Sequence, residues 1–67
     1  MKQPREWLIQ KRKSKSLTQI EVAIKAKLSP QMYSYIETGE RSPSVSTAKR
    51  IAGVLGFDWV DFFSETA

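Results

Sequence analysis

Apolar side chains recur along the 67-residue chain in short clusters, each bracketed by residues that start or stop helices. Leu8 anchors the first cluster, with Trp7 and Ile9 beside it. Pro4 suits the opening position of that helix, because its missing N–H would find no intrahelical partner there. The pattern fades within Lys11-Arg12-Lys13-Ser14-Lys15-Ser16, where the first helix is expected to end. Leu17-Thr18-Gln19-Ile20-Glu21-Val22 opens a second. Thr18 can cap it and Glu21, three residues on, can reach back, which makes a capping box; Leu17 and Val22 are spaced for a hydrophobic staple across it. This helix is predicted to run to Ala26. After the short turn Lys27-Leu28, Ser29 as N-cap and Pro30 as first residue open a third helix, carried to Thr38 and stopped by Gly39.

Glu40-Arg41-Ser42-Pro43 reads as a loop. Ser44 caps a fourth helix, whose apolar positions Val45, Ala48, Ile51, Ala52 and Leu55 follow the spacing of a buried stripe, and Gly56 ends it. Phe57-Asp58-Trp59-Val60-Asp61-Phe62 repeats the device of the second helix, with Asp58 as cap and Phe57 stapled to Phe62. Phe62 is expected in the core, Phe63 following it inward, and Trp59 on the outer side. Residues 64–67 are expected to fray. The pattern predicts an all-α fold of five short helices, with one domain over residues 5–63.

Composition narrows the chemistry. There is no cysteine to form disulfides or thiolate metal sites, and no histidine to act as metal ligand or general base. With no paired carboxylates in so small a domain either, an enzyme is not expected, and no metal or cofactor is expected. No apolar run approaches the length of a membrane span and no secretory signal is visible, so a cytoplasmic protein is the default.

Charge is asymmetric. Residues 1–30 hold eight Lys and Arg against two Glu, whereas residues 51–67 hold no Lys or Arg but contain Asp58, Asp61 and Glu65. A basic face of this kind suits a polyanion. The second and third helices with their tight turn could place the third in the DNA major groove. Geometry of that sort is common to many helix pairs.

The residues add to it. Leu17-Thr18-Gln19, Val22-Ala23, Leu28-Ser29, Tyr33-Ser34 and Ile36-Glu37-Thr38-Gly39 fall in one order and spacing that resembles the Cro/CI-type helix-turn-helix family, the lambda-repressor-like domains of the XRE family. The resemblance continues through Arg41-Ser42-Pro43-Ser44, Thr47-Ala48, Ile51-Ala52, Val54-Leu55-Gly56-Phe57 and Phe62-Phe63.

The resemblance implies a site. Gln19 would contact the DNA backbone. Gln31 and Tyr35 would read bases, with Pro30 beside them. Ser29, Ser34, Thr38 and Arg41 would lie near phosphates. The chemistry fits, since Gln bonds adenine in bidentate fashion, Tyr offers a hydroxyl and a ring edge, and Ser, Thr and Arg donate to phosphate. Arg12 and Glu37 match a pair that joins the first and third helices as an ion pair in relatives. Tyr33 is expected in the core. Met32 is left between groove wall and solvated surface, and the Lys11–Lys15 run is read as a solvated helix end.

The chain departs from the family pattern at several positions. Lys27 stands where many relatives have Gly in the turn, so strain is expected there. Pro30 removes a side chain that often contacts DNA. Lys11 replaces an apolar residue, its stem covering the core. Ile20 and Ile24 form a small exposed patch that serves a partner or is incidental.

The function expected is sequence-specific binding of a double-stranded DNA operator. With no sensor domain or oligomerisation tail visible, the resemblance implies a Cro-like repressor of phage, plasmid, mobile-element or bacterial origin. It would act as a weak homodimer joined through the fifth helix, with Trp59 at the contact. The alternative is a protein-interaction module of the same fold that regulates a partner protein.

Overall fold

A computed structural model describes residues 3–64. The helices are α1 (Glu6–Ser14), α2 (Gln19–Lys25), α3 (Pro30–Thr38) and α4 (Val45–Leu55), followed by a 3-10 turn at Trp59–Phe63. Among the described residues there is no strand, and no helix is long and apolar enough to cross a membrane. Of the tail expected to fray, residues 65–67 lie outside the described residues.

The helix starts are built by their caps. Thr18 and Glu21 form the reciprocal capping box of α2. Ser29 accepts from the Met32 N–H at 3.1 Å, and Ser44 from that of Thr47 at 3.2 Å. Pro4 does not open α1, which begins at Glu6 with Arg5 as its N-cap. The cause is tertiary: the Arg5 N–H donates to the Glu37 carbonyl at 2.8 Å, which holds the chain away from helical geometry until one residue later.

All four α-helices end on a left-handed residue: Ser16 and Lys27 at φ 59°, Gly39 at 85° and Gly56 at 76°. After α2, the Lys27 N–H donates to Ile24 O at 3.1 Å and the Leu28 N–H to Ala23 O at 2.8 Å, satisfying the last carbonyls of the helix. Lys27 therefore keeps the turn geometry of a glycine, against a steric penalty of about 1–2 kcal/mol for an L-residue. Leu28, packed against the core one residue later, offsets it.

The core gathers Leu8 from α1, Val22 and Ala23 from α2, Tyr33 and Ile36 from α3, Ala48, Ile51 and Leu55 from α4, and Phe62 from the closing turn. Val45, placed on the buried stripe by spacing, is 48% exposed, because the first residue of α4 lies beyond the edge of the core.

The fifth element differs most from expectation. It is not an α-helix: Asp58 accepts from the Val60 N–H at 3.1 Å, and the Asp61 N–H returns to the Asp58 carbonyl at 2.9 Å, closing a three-residue repeat. With three residues per turn, positions 59 and 62 share one face and 60 and 63 the next, a third of a turn away, where the Phe63 ring still meets that of Trp59 edge-on at 6.0 Å between centroids. Trp59 therefore turns inward with Phe62 and packs against the core, under the Lys49 ammonium at 5.1 Å from its ring centroid. Phe63, expected inside, is 47% exposed. Trp7 meets Phe57 and Phe62 edge-on, at 5.3 and 5.1 Å between centroids, and the expected Phe57–Phe62 contact is made at 5.5 Å.

Candidate nucleic-acid interface

Helix α3 has two faces of different chemistry. Tyr33, Ile36 and Glu37 point into the domain and are buried. Pro30, Gln31, Met32 and Thr38 are exposed, with Ser34 and Tyr35 half-buried beside them. The outward side chains are linked to one another. Gln31 Nε2 donates to the Tyr35 hydroxyl at 2.8 Å, and the Arg41 guanidinium lies 5.7 Å from the centroid of the Tyr35 ring. Ser29, Gln31, Met32, Tyr35 and Arg41 line one shallow depression of about 200 Å³. Met32 thus forms part of its wall. Ser29 is engaged as the α3 cap, and the Thr38 hydroxyl donates to the Tyr35 carbonyl at 3.1 Å.

Behind this face lies a charged knot. Arg12 Nε donates to Glu37 Oε2 at 2.6 Å, its Nη2 to Oε1 at 3.4 Å, and its Nη1 to the Leu17 carbonyl at 3.0 Å. Gln19 Nε2 donates to Glu37 Oε1 at 2.8 Å. One carboxylate thereby ties α1 and α2 to α3. Burial pushes the Glu37 carboxyl up, but the hydrogen bonds from Arg12 and Gln19 outweigh it and hold the group below the usual carboxylate range. The hydrogen bond that Arg12 donates to Glu37 in turn raises Arg12 above its ordinary value. Beside them the Tyr33 hydroxyl is buried with no hydrogen-bond partner among the described residues. Burial, and after it the Glu37 carboxylate, drive its phenol well above the ordinary value.

Gln19 therefore sits half-buried at the rim, one amide N–H committed to Glu37 and the second still available. The remaining positions singled out from sequence, Ser29, Pro30, Gln31, Ser34, Tyr35, Thr38 and Arg41, fall on α3, on its N-cap or on the loop that follows it. Arg5 escaped the sequence reading. It is 9% exposed, and its guanidinium donates to the Ile36 and Arg41 carbonyls at 2.6 and 3.1 Å. Nothing in the local pattern marks it, since its partners lie more than thirty residues away.

A helix-turn-helix family model matches residues 8–62. The chain belongs to the XRE-type helix-turn-helix family. Its members are DNA-binding transcriptional regulators. The chain is also 46% identical over 61 residues to an uncharacterized HTH-type transcriptional regulator, YqaF, from Bacillus subtilis (strain 168), covering 91% of this chain and 80% of that protein. No solved structure gives a significant match. Within this helix-turn-helix, α2, the left-handed turn at Lys27 and α3 form the name-giving unit, and α1 and α4 supply the scaffold beneath it.

Proposed function

We propose that this regulator binds a double-stranded DNA operator by seating the N-terminal half of α3 in the major groove, and that it acts there as a Cro-like repressor. The observation that carries the reading is the outward face of α3, where Gln31, Tyr35 and Arg41 stand linked and accessible while Glu37 anchors the opposite face. Gln31 suits adenine: the amide N–H not held by Tyr35 donates to N7, and Oε1 accepts from the exocyclic amine. Tyr35 offers its hydroxyl and ring edge to the neighbouring base pair, and Pro30 lines the groove wall. Ser29, Ser34, Thr38 and Arg41 hold phosphates, as does Gln19 through its second N–H. The operator places the work in the cytoplasm of a bacterial cell, on a chromosome, a plasmid, a phage or another mobile element.

Helix-turn-helix dimers meet two half-sites about one helical turn apart. A weak homodimer through the closing turn suits this reading. Val60 and Phe63, at 46% and 47% exposure, supply its apolar contact in place of Trp59. Selection of bound duplexes from a random pool tests the whole proposal, with a palindromic consensus expected. Gln31→Ala should then weaken the selected operator by about 1–3 kcal/mol and leave random duplex nearly unchanged. Equal losses on both would remove Gln31 from base reading.

A second reading rests on Ile20 and Ile24, which are 57% and 67% exposed on the outer side of α2. They favour a module that docks on a regulatory protein partner. Duplex affinity that does not respond to salt would favour this reading over the first.

A further inference from the structure

Arg5 stands at the start of α1, yet its side chain serves the far end of α3. Its Nη1 donates to the Ile36 carbonyl at 2.6 Å and to the Arg41 carbonyl at 3.1 Å, and its Nη2 donates to Ser42 Oγ at 3.4 Å. Its own backbone N–H takes the Glu37 carbonyl at 2.8 Å, and its guanidinium carbon lies 5.9 Å from the Phe62 ring centroid. Ile36 and Glu37 belong to the last turn of α3, where carbonyls have no partner inside the helix. Arg41 and Ser42 belong to the loop that leaves it. A planar guanidinium with five donors can hold such diverging acceptors at once, which an ammonium cannot do with the same geometry.

The loop is otherwise tied back by the Glu40 and Arg41 N–H groups, which donate to the Tyr35 carbonyl at 2.9 and 3.2 Å. With its carbonyl held by Arg5 and its N–H by Tyr35, Arg41 has its backbone fixed on both sides. Its side chain is left over the Tyr35 ring, on the outward face of α3. Arg5 itself is buried.

We propose that Arg5 is a positioning residue for DNA binding: it clamps the end of α3 to the loop 40–42 so that Arg41 is aimed at the phosphate beside the base-reading side chains. This rests on the DNA-binding reading above. A residue that merely stabilises the fold would lower affinity whatever stands at position 41. A residue that acts through Arg41 loses its influence on affinity once Arg41 is gone.

The test uses the full chain with Arg5→Lys, which keeps charge and stem and removes the planar fork. Melting, amide hydrogen exchange at Glu40 and Arg41, and affinity for a selected duplex are measured with Arg41 present and in the Arg41→Ala background. Exchange at the two amides should accelerate on the order of tenfold, as loss of a charge-assisted bond implies. Duplex affinity should fall severalfold with Arg41 present and stay unchanged in the Arg41→Ala background. Should Arg5→Lys fail to fold, Ser42→Ala removes one acceptor of the clamp without touching α1 or α3, and a smaller change of the same pattern is expected. Unaltered exchange at Glu40 and Arg41, or equal affinity losses in both backgrounds while wild type binds normally, would overturn the role of Arg5 alone. A wild-type chain without duplex affinity would overturn the DNA reading and this inference with it.

Discussion

Replacing Glu37 by glutamine keeps the shape of the side chain and removes the charge that joins three helices. The carboxylate is nearly closed off, at 2% side-chain exposure, while Arg12 keeps 13%. Breaking a buried pair from one side costs about 3–5 kcal/mol, because the other charge stays behind unpaired. Water at the edge of Arg12 relieves part of that, so a loss of about 3 kcal/mol is expected for Glu37→Gln. Stability of roughly 0.05–0.15 kcal/mol per residue gives a domain of this size about 3–10 kcal/mol in all, so the change consumes a large share of it. At about 4–8 °C per kcal/mol, the melting temperature should drop by roughly 12–24 °C.

The effect should also carry a pH signature. The folded Glu37 carboxyl titrates below its ordinary value of 4.5, so its contribution is fully present above that value and is lost as pH falls through the lower, folded one. The gap between wild type and Glu37→Gln should be constant near neutrality and close in acid. Urea unfolding of wild type, Glu37→Gln, Arg12→Ala and the double variant across this range gives both quantities. Coupling below about 0.5 kcal/mol, or a gap that persists unchanged into acid, would refute the argument.

Other outcomes follow from the same geometry. Tyr33→Phe deletes a buried hydroxyl without a partner and should leave stability unchanged or raise it by up to about 1 kcal/mol; a marked loss on denaturation would show that the hydroxyl is bonded. Gly39→Ala should cost at least about 1–2 kcal/mol, because φ is 85° there and a Cβ would collide with the Gln3 carbonyl oxygen; a melting curve like that of wild type would refute this. Duplex affinity should fall by roughly a thousandfold or more between 50 and 200 mM salt if a dimer makes about six to ten phosphate contacts, and a flat salt titration would count against DNA binding. Phe63→Ala should weaken self-association in sedimentation with little change in melting, whereas Trp59→Ala should lower melting because that ring packs on the core; the reverse pattern would put the contact back at Trp59.

The order of helices, most of their starts and the burial of Phe62 are properties of short segments, and the sequence alone determined them. A cap such as Thr18 with Glu21, or Ser29 with Pro30, is decided within four residues, and hydrophobic spacing marks the inner face of α4 without any knowledge of what it meets. Ser29 and Gly39 marked where α3 begins and ends for the same reason, whereas Tyr33 on its inner face and the residues of its outward face were expected only from the resemblance to the helix-turn-helix family. The tertiary structure decided what depends on residues far apart in the chain. Pro4 lost its place at the head of α1 because Arg5 is pulled toward α3, and Arg5 itself could not be singled out until Ile36, Arg41 and Ser42 were brought around it. Likewise, spacing alone reads 59–63 as a turn of α-helix; the bonds at Asp58 make it a 3-10 turn, and the change of period sends Trp59 inward and Phe63 out. Local sequence fixes where a helix can start and stop, but a charged side chain or a five-residue turn takes its place from the surfaces that close around it.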